Sequence, residues 1–382
     1  REGLPSIKLT VVNRRKVFIL PEASFPESFQ RDLDTWCDRL AGSDLLDDQP
    51  FKPLRPVSVD SHRKCILRCA SALTRSGTEV TSITDLSVLV EPENAKLILR
   101  WFLSRNEDGK PSKQTHDVSS ALMALARHWV KLDDVSMQRL NAICGKCRVK
   151  SEGMTKKNRD TLRLFDDERL TRELLCLPER LMRRAVGGAT ISKRDAYLAS
   201  QALAIAILTN APIRIENLAN ININTNIVRL GTGSRAKVSL WFPAHTVKND
   251  LEIELPLSAE TVHLLDRYLK EAWPVLAQPG CTHLFPGRDG QTRSKVGFGM
   301  AIAKITEREL GVRISPHQFR HIAGYLYLKA CPGDYETVRV LLGHKSLQTT
   351  IQFYAGMEIA AAAKRYDEVV FAPSRKRRGA SL

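Results

Sequence analysis

The sequence predicts a mainly α-helical protein with a small antiparallel β-sheet, an α+β fold divided into two domains. Apolar residues recur at helical spacing over most of the 382 residues. A polar, basic stretch without that spacing covers residues 150–160, and two short alternating segments lie in the second half of the chain. The length allows two hydrophobic cores of ordinary size.

The first half of the chain predicts a compact helical domain over residues 25–149, after an N-terminal extension at 1–24 to which the sequence assigns no role. Apolar residues form two clear stripes at helical spacing: Phe29, Leu33, Trp36, Cys37 and Leu40, then Cys65, Ile66, Cys69 and Leu73. Further helices are expected over residues 95–104, 116–129 and 135–147.

The second half predicts a separate domain over residues 161–372, joined to the first by a linker at 150–160. It opens with helices, including an apolar one from Ala196 to Leu208. Two strands, Val238–Phe242 and Leu251–Leu255, are expected around a turn at residues 248–250, and helices follow. Residues 373–382 form a basic tail.

The charge balance points to a polyanionic partner. Lysine and arginine total 58 against 42 acidic residues, a formal net charge of +16. Such an excess favours nucleic acid, because neutralising phosphates releases condensed counterions.

No apolar run approaches the roughly 20 residues that a membrane span needs. The first residues also lack the pattern of a secretory signal. We therefore expect a protein without membrane contact, cytoplasmic and associated with the nucleoid.

The eight cysteines predict reduced, mostly buried thiols rather than a metal site. Cys144 and Cys147 form a CxxC pair, and no second pair stands at zinc-finger spacing. Metal binding by this pair remains an alternative, and no metal is predicted.

The first cluster of reactive side chains lies at a predicted helix start. Ser315 followed by Pro316 combines a capping hydroxyl with a residue suited to the first helical position. His317 and Arg320 then share one face of the first turn, with His321 beside them. A phosphate could dock there. The alternative is a surface histidine and arginine on an ordinary helix.

A second cluster follows about twenty residues later. Gly343 suits the left-handed end of an apolar helix, and His344 comes directly after it. Ser346 can start a short helix that carries Tyr354. By itself Tyr354 reads equally as a half-buried packing residue, since a phenol is mostly neutral at pH 7.

Together these residues, HQFRH followed by LLGHKSLQTTIQFY, resemble the C-terminal signature of the tyrosine recombinase, or phage integrase, family. Two upstream elements agree. Arg214 stands where the family places its first catalytic arginine, and Lys248 lies in a segment similar to the family's lysine hairpin, with Lys237 as a competitor. The resemblance covers the second domain well. The helical domain resembles the DNA-gripping core-binding domain more in pattern than in sequence.

The sequence departs from the family pattern at two places. Asn217 occupies the position of a family acidic residue, with Glu216 one residue earlier, so the local support of Arg214 is expected to differ. His344 and Tyr354 are one residue further apart than is commonest, and Phe353 occupies the usual place. Because phenylalanine has no hydroxyl, Tyr354 is retained as the nucleophile.

The resemblance implies a fold, an activity and a site. The fold is a helical core-binding domain followed by an integrase-type catalytic domain. The activity is site-specific recombination through a 3′-phosphotyrosyl link, without metal, ATP or other cofactor. The implied catalytic residues are Arg214, Lys248, His317, Arg320, His344 and Tyr354.

Chemistry agrees with these implied roles. Arginines hold the non-bridging oxygens, histidines donate to them, and His317 accepts the phenol proton. Lys248 supplies a proton to the leaving 5′-oxygen.

The implied partner is double-stranded DNA, bound by four copies on two sites. The segment after Tyr354, with its helix-forming run at residues 360–363, docks either on a neighbouring copy or on its own domain. Two other functions remain open: a type IB topoisomerase-like or hairpin-end-forming enzyme with the same site, and a DNA-binding protein without chemistry.

Overall fold

In the computed structural model the described residues are 18–42, 52–149, 153–231, 237–247, 250–287, 292–357 and 359–371. The predicted turn residues 248 and 249 and the predicted basic tail lie outside them. The chain divides into two compact units, residues 1–151 and 152–382, which are described separately.

The first unit is helical throughout its described part. Both predicted apolar stripes are buried in its core, and the rings of Trp36 and Trp129 lie 5.7 Å apart there. Polar caps fix where helices start; the Asp133 carboxylate, for example, accepts from two backbone N–H groups. The helices are α1 Glu27–Ala41, α2 Pro56–Arg75, α3 Ser87–Val90, α4 Pro92–Leu103, α5 Lys113–Leu125 and α6 Asp134–Gly145.

The second unit packs its helices around one largely apolar helix. This is α9, in which the residues from Ala202 to Leu208 are all buried. The helices are α7 Lys156–Arg163, α8 Glu168–Val186, α9 Lys193–Asn210, α10 Ile215–Ala219, α11 Ile223–Asn226, α12 Ala259–Arg267, α13 Trp273–Leu276, α14 Lys295–Leu310, α15 Pro316–Ala330, α16 Tyr335–Leu342, α17 Leu347–Tyr354 and α18 Ile359–Tyr366.

A small antiparallel sheet lies between α11 and α12, in the order β1-β2-β3. β2 (Lys237–Phe242) and β3 (Ile253–Pro256) pair with Leu240 opposite Leu255, which confirms the two predicted strands. β1 (Ile227–Leu230) was not predicted. Its four residues are partly or fully exposed, so they show no alternation between apolar and polar positions.

The structure differs from the predicted linker at residues 150–160. Thr155 accepts a hydrogen bond from the Asn158 backbone N–H, and α7 begins at Lys156. Met154 is buried in the core of the second unit. One capping hydroxyl and one buried side chain therefore anchor a stretch whose composition looks like a linker.

All eight cysteines are free thiols, and five of them are buried, which confirms that prediction. Within the described ranges no group of three or more His, Cys, Asp or Glu side chains is placed to hold a metal ion. No described helix is long and apolar enough to cross a membrane.

Candidate active site

The site is built around the start of α15. Ser315 and Gln318 form a reciprocal capping box, in which the Ser315 N–H donates to Gln318 Oε1 at 2.8 Å. Pro316 occupies the first helical turn, as predicted. This firm start fixes the first turns of the helix, which carry His317, Arg320 and His321.

Arg320 joins three distant segments of the chain. Its side chain is buried, with 6% of the residue exposed. One guanidinium nitrogen donates to the carbonyl of Pro212 and the other to the carbonyl of Leu342. Those carbonyls lie two residues before Arg214 and His344, so the fork sets the backbone that carries both.

The buried cation of Arg320 keeps its charge. Burial lowers the pKa of its guanidinium to about 10, and the nearby positive charge of Arg214 lowers it further, against the opposing effect of Tyr354. At neutral pH the group remains protonated. The site therefore presents a fixed, partly desolvated positive charge.

Arg214 is the residue before α10, half-buried, and burial lowers its pKa. The acidic groups that the family pattern leads one to expect do not support it in the usual way. Glu216 pairs with Lys295 at 3.0 Å. Asn217 is buried, and its side-chain N–H group has no partner among the described residues.

Three imidazoles surround this charge. His317 Nε2 lies 3.2 Å from His321 Nε2. His344 follows Gly343, whose φ of 58° gives the predicted left-handed helix end, and its Nδ1 lies 2.9 Å from Thr350 Oγ1. Burial, followed by neighbouring positive charges, lowers the pKa values of both His321 and His344 to about 4. Both rings are therefore neutral at pH 7.

Tyr354 ends α17 and is buried, with 1% of the residue exposed. Its hydroxyl donates to the Arg320 carbonyl at 3.5 Å and lies 3.4 Å from His321 Nδ1. Burial raises the pKa of the phenol, although the charge of Arg320 opposes the shift. The phenol thus lies beside the cationic cluster but is shielded from solvent and protonated.

The structure brings five of the six predicted site residues into one region: Arg214, His317, Arg320, His344 and Tyr354. The sixth, Lys248, lies outside the described residues. Its competitor Lys237 is exposed at the start of β2. The role of the lysine stays a prediction.

Sequence reasoning did not assign a function to His321, although it contacts both Tyr354 and His317. The signal was its spacing, because a residue four positions after His317 lies on the same face of a helix. Adjacent histidines in a helical motif are easily read as a single functional group with one spare neighbour.

Comparison with known proteins agrees with this geometry. A family model described as "Phage integrase family" matches residues 186–359. "Tyrosine recombinase XerC" of Azotobacter vinelandii is 23% identical over 348 residues, which cover 89% of this chain and 95% of the relative. The XerC of Pseudomonas savastanoi pv. phaseolicola is 28% identical over 195 residues, 49% of this chain and 58% of the relative.

A solved structure titled as the XerH site-specific recombinase bound to difH substrate, in a pre-cleavage complex, covers 91% of this chain and 98% of its own. It is 13% identical, with a TM-score of 0.41. The family match and the recombinase relatives define an enzyme that recombines DNA at specific sites. The chain belongs to the tyrosine recombinase, or phage integrase, family.

Arg320→Lys should destabilise the second unit, because one ammonium cannot reach both the Pro212 and Leu342 carbonyls. A buried carbonyl left without a donor costs about 1–3 kcal/mol. Urea unfolding followed by circular dichroism measures the change. Arg308→Lys, at an exposed position on α14, is the control. Equal midpoints for the two variants would contradict the bridging role.

The depressed histidine pKa values predict acid sensitivity. His321 titrates near 4 in the folded protein and near 6.5 when unfolded. Between those values the unfolded chain binds more protons, so stability is present above pH 6.5 and is lost as pH falls. From pH 7 to 5 the loss from this residue is about 2 kcal/mol.

The measurement is the free energy of unfolding at pH 7 and pH 5 for the wild type and for His321→Asn. The variant should lose about 2 kcal/mol less over this interval, since its amide does not titrate. Parallel pH profiles would show that His321 is not held neutral.

Proposed function

We propose that this recombinase cleaves and rejoins DNA through a covalent 3′-phosphotyrosyl bond to Tyr354, with no metal or nucleotide cofactor. The observation that supports this most strongly is the Arg320 fork. It ties the segments of Arg214 and His344 to the helix that carries His317, while the Tyr354 hydroxyl donates to the carbonyl of the same arginine.

The two arginines hold the phosphate. A phosphodiester under attack develops extra negative charge on its non-bridging oxygens, and guanidinium groups are planar, always charged donors for such oxygens. Arg320 uses two of its five N–H groups for backbone carbonyls. The others, with those of Arg214, remain for the phosphate.

The imidazoles and the lysine complete the reaction. The Tyr354 oxygen bonds to phosphorus while the bond from phosphorus to the 5′-oxygen breaks. His317 accepts the phenol proton, and His344 donates to a non-bridging oxygen. Lys248 gives a proton to the departing 5′-oxygen. The energy of the broken bond stays in the phosphotyrosine, so religation runs without ATP.

Cleavage requires the phenol to move. In the DNA-free protein Tyr354 is buried and protonated, a state in which a phenol is a poor nucleophile. We therefore place the reactive arrangement in the DNA complex, where Tyr354 leaves its buried position and meets the phosphate on Arg214 and Arg320.

DNA is the partner, and the net charge of +16 suits it. We propose that the helical domain over residues 25–149 grips the duplex, and that the protein acts at the nucleoid, where its substrate lies. Contacts of that domain with phosphates set position, while contacts with base edges set the site.

We further propose a tetramer on two DNA sites, assembled through the C-terminal segment. In α18 and the helical turn Asp367–Phe371 after it, large apolar side chains face solvent: Tyr366 is 61% exposed and Val369 is 66% exposed. A neighbouring copy that covers this apolar surface would gain hydrophobic stabilisation.

Tyr354→Phe should abolish covalent capture on a nicked suicide substrate while DNA binding is retained, because only the nucleophilic oxygen is lost. Denaturing gels show the adduct, and mobility shifts show binding. Tyr327→Phe, on the same unit but outside the cluster, is the control. An adduct formed by Tyr354→Phe would remove Tyr354 from its role.

Val369→Asp should prevent the pairing of two DNA-bound complexes while single-site binding persists, because a carboxylate in an apolar contact must be desolvated. Native gels with two labelled DNA sites measure pairing. Leu230→Asp, at a comparably exposed position on β1, is the control. Normal pairing by Val369→Asp would exclude this surface from the assembly.

A further inference from the structure

The buried phenol of Tyr354 occupies a seat made by a glycine. A Cβ atom built on Gly324 would lie 2.7 Å from both Cζ and Oη of Tyr354, closer than real Cβ contacts allow. Gly324 is in the interior of α15, where glycine weakens a helix relative to alanine. The missing side chain gives the ring its space against the helix.

The polar end of the seat is His321. Its Nδ1 lies 3.4 Å from the Tyr354 hydroxyl and its Nε2 lies 3.2 Å from His317 Nε2, so both ring nitrogens have a neighbour. Only 7% of His321 is exposed. The ring is therefore a buried bridge between the nucleophile and His317.

The far end of this bridge is open to solvent, since His317 is exposed. A phosphate oxygen that binds His317 Nε2 competes for the atom that contacts His321, because one ring nitrogen makes one good hydrogen bond along its axis. The arrival of a phosphate would thus remove a partner from His321 and loosen its hold on the phenol.

We propose that His321 is a further positioning residue of this site: together with Gly324 it seats the Tyr354 hydroxyl in the DNA-free protein and links that seat to His317. The nucleophile is then released when His317 turns to a phosphate. The inference rests on the proposed role of Tyr354 as the nucleophile, but its test needs neither DNA nor cleavage.

The test is chemical nitration of the full-length, DNA-free protein with tetranitromethane, with the rate at each tyrosine measured by mass spectrometry of peptides. Tyr366 is 61% exposed and serves as the internal reference. In the wild type Tyr354 should react more slowly than Tyr366 by about tenfold or more, because it must first leave its seat. Equal rates in the wild type would overturn the proposal without any variant.

Two variants separate the parts of the seat. Gly324→Ala should raise Tyr354 nitration about tenfold, since the added Cβ displaces the ring. Gly297→Ala in α14 is the matched control, because the nearest atom to its Cβ would be 3.9 Å away. Tyr354 nitration as slow in Gly324→Ala as in Gly297→Ala would contradict the seat.

For His321, substitution by Phe keeps a ring but removes the polar contact, whereas Asn keeps a polar group near the position of Nδ1. His321→Phe should accelerate Tyr354 nitration, and His321→Asn should restore the slow rate. A packing role alone predicts the reverse order, with the aromatic substitute nearer the wild type; that order would overturn the role of His321.

Failure of this inference differs from failure of the proposed function. If nitration follows the expected order but the wild type forms no adduct through Tyr354, the seat stands and the nucleophile assignment falls. If the adduct forms through Tyr354 while nitration is insensitive to His321 and Gly324, only the seat is wrong.

Discussion

The arrangement of the site depends on the buried guanidinium of Arg320. A charge taken from water needs partners, and here two backbone carbonyls supply them, one before α10 and one at the end of α16. Among the described residues no carboxylate pairs with it. The cation is thus held in place by neutral dipoles and keeps its charge for an anion that arrives from outside.

This arrangement also explains the state of its neighbours. The positive charges of Arg320 and Arg214 help to keep His344 neutral, and burial together with His317 and Arg320 does the same for His321. A neutral imidazole can either donate or accept, which suits groups that exchange partners when a phosphate binds. The phenol, in contrast, is held protonated by burial. A reactive oxygen is therefore stored close to the cations without being activated.

Much of this could be predicted from the sequence, because it depends on local rules. The Ser315-Pro316 pair marks the start of α15, Gly343 marks the end of α16, and Ser346 caps α17. Spacing within α15 placed His317 and Arg320 on one face.

The remainder depends on tertiary contacts. Nothing near Tyr354 in the sequence indicates that its ring rests on Gly324, which lies thirty residues earlier in another helix. The bridging position of His321 likewise appears only when α15 and α17 are packed together. β1 escaped prediction because its residues gain their order from pairing with β2 and not from their own pattern.

The most direct test of the account is a structure of the protein on a DNA duplex that contains its cleavage site. We expect Arg214 and Arg320 to donate to the non-bridging oxygens of one phosphate, with the Tyr354 oxygen out of its seat and within about 3.5 Å of, or bonded to, that phosphorus. A complex in which Tyr354 still rests on Gly324 at the cleaved site, or in which the two arginines hold different phosphates, would contradict it.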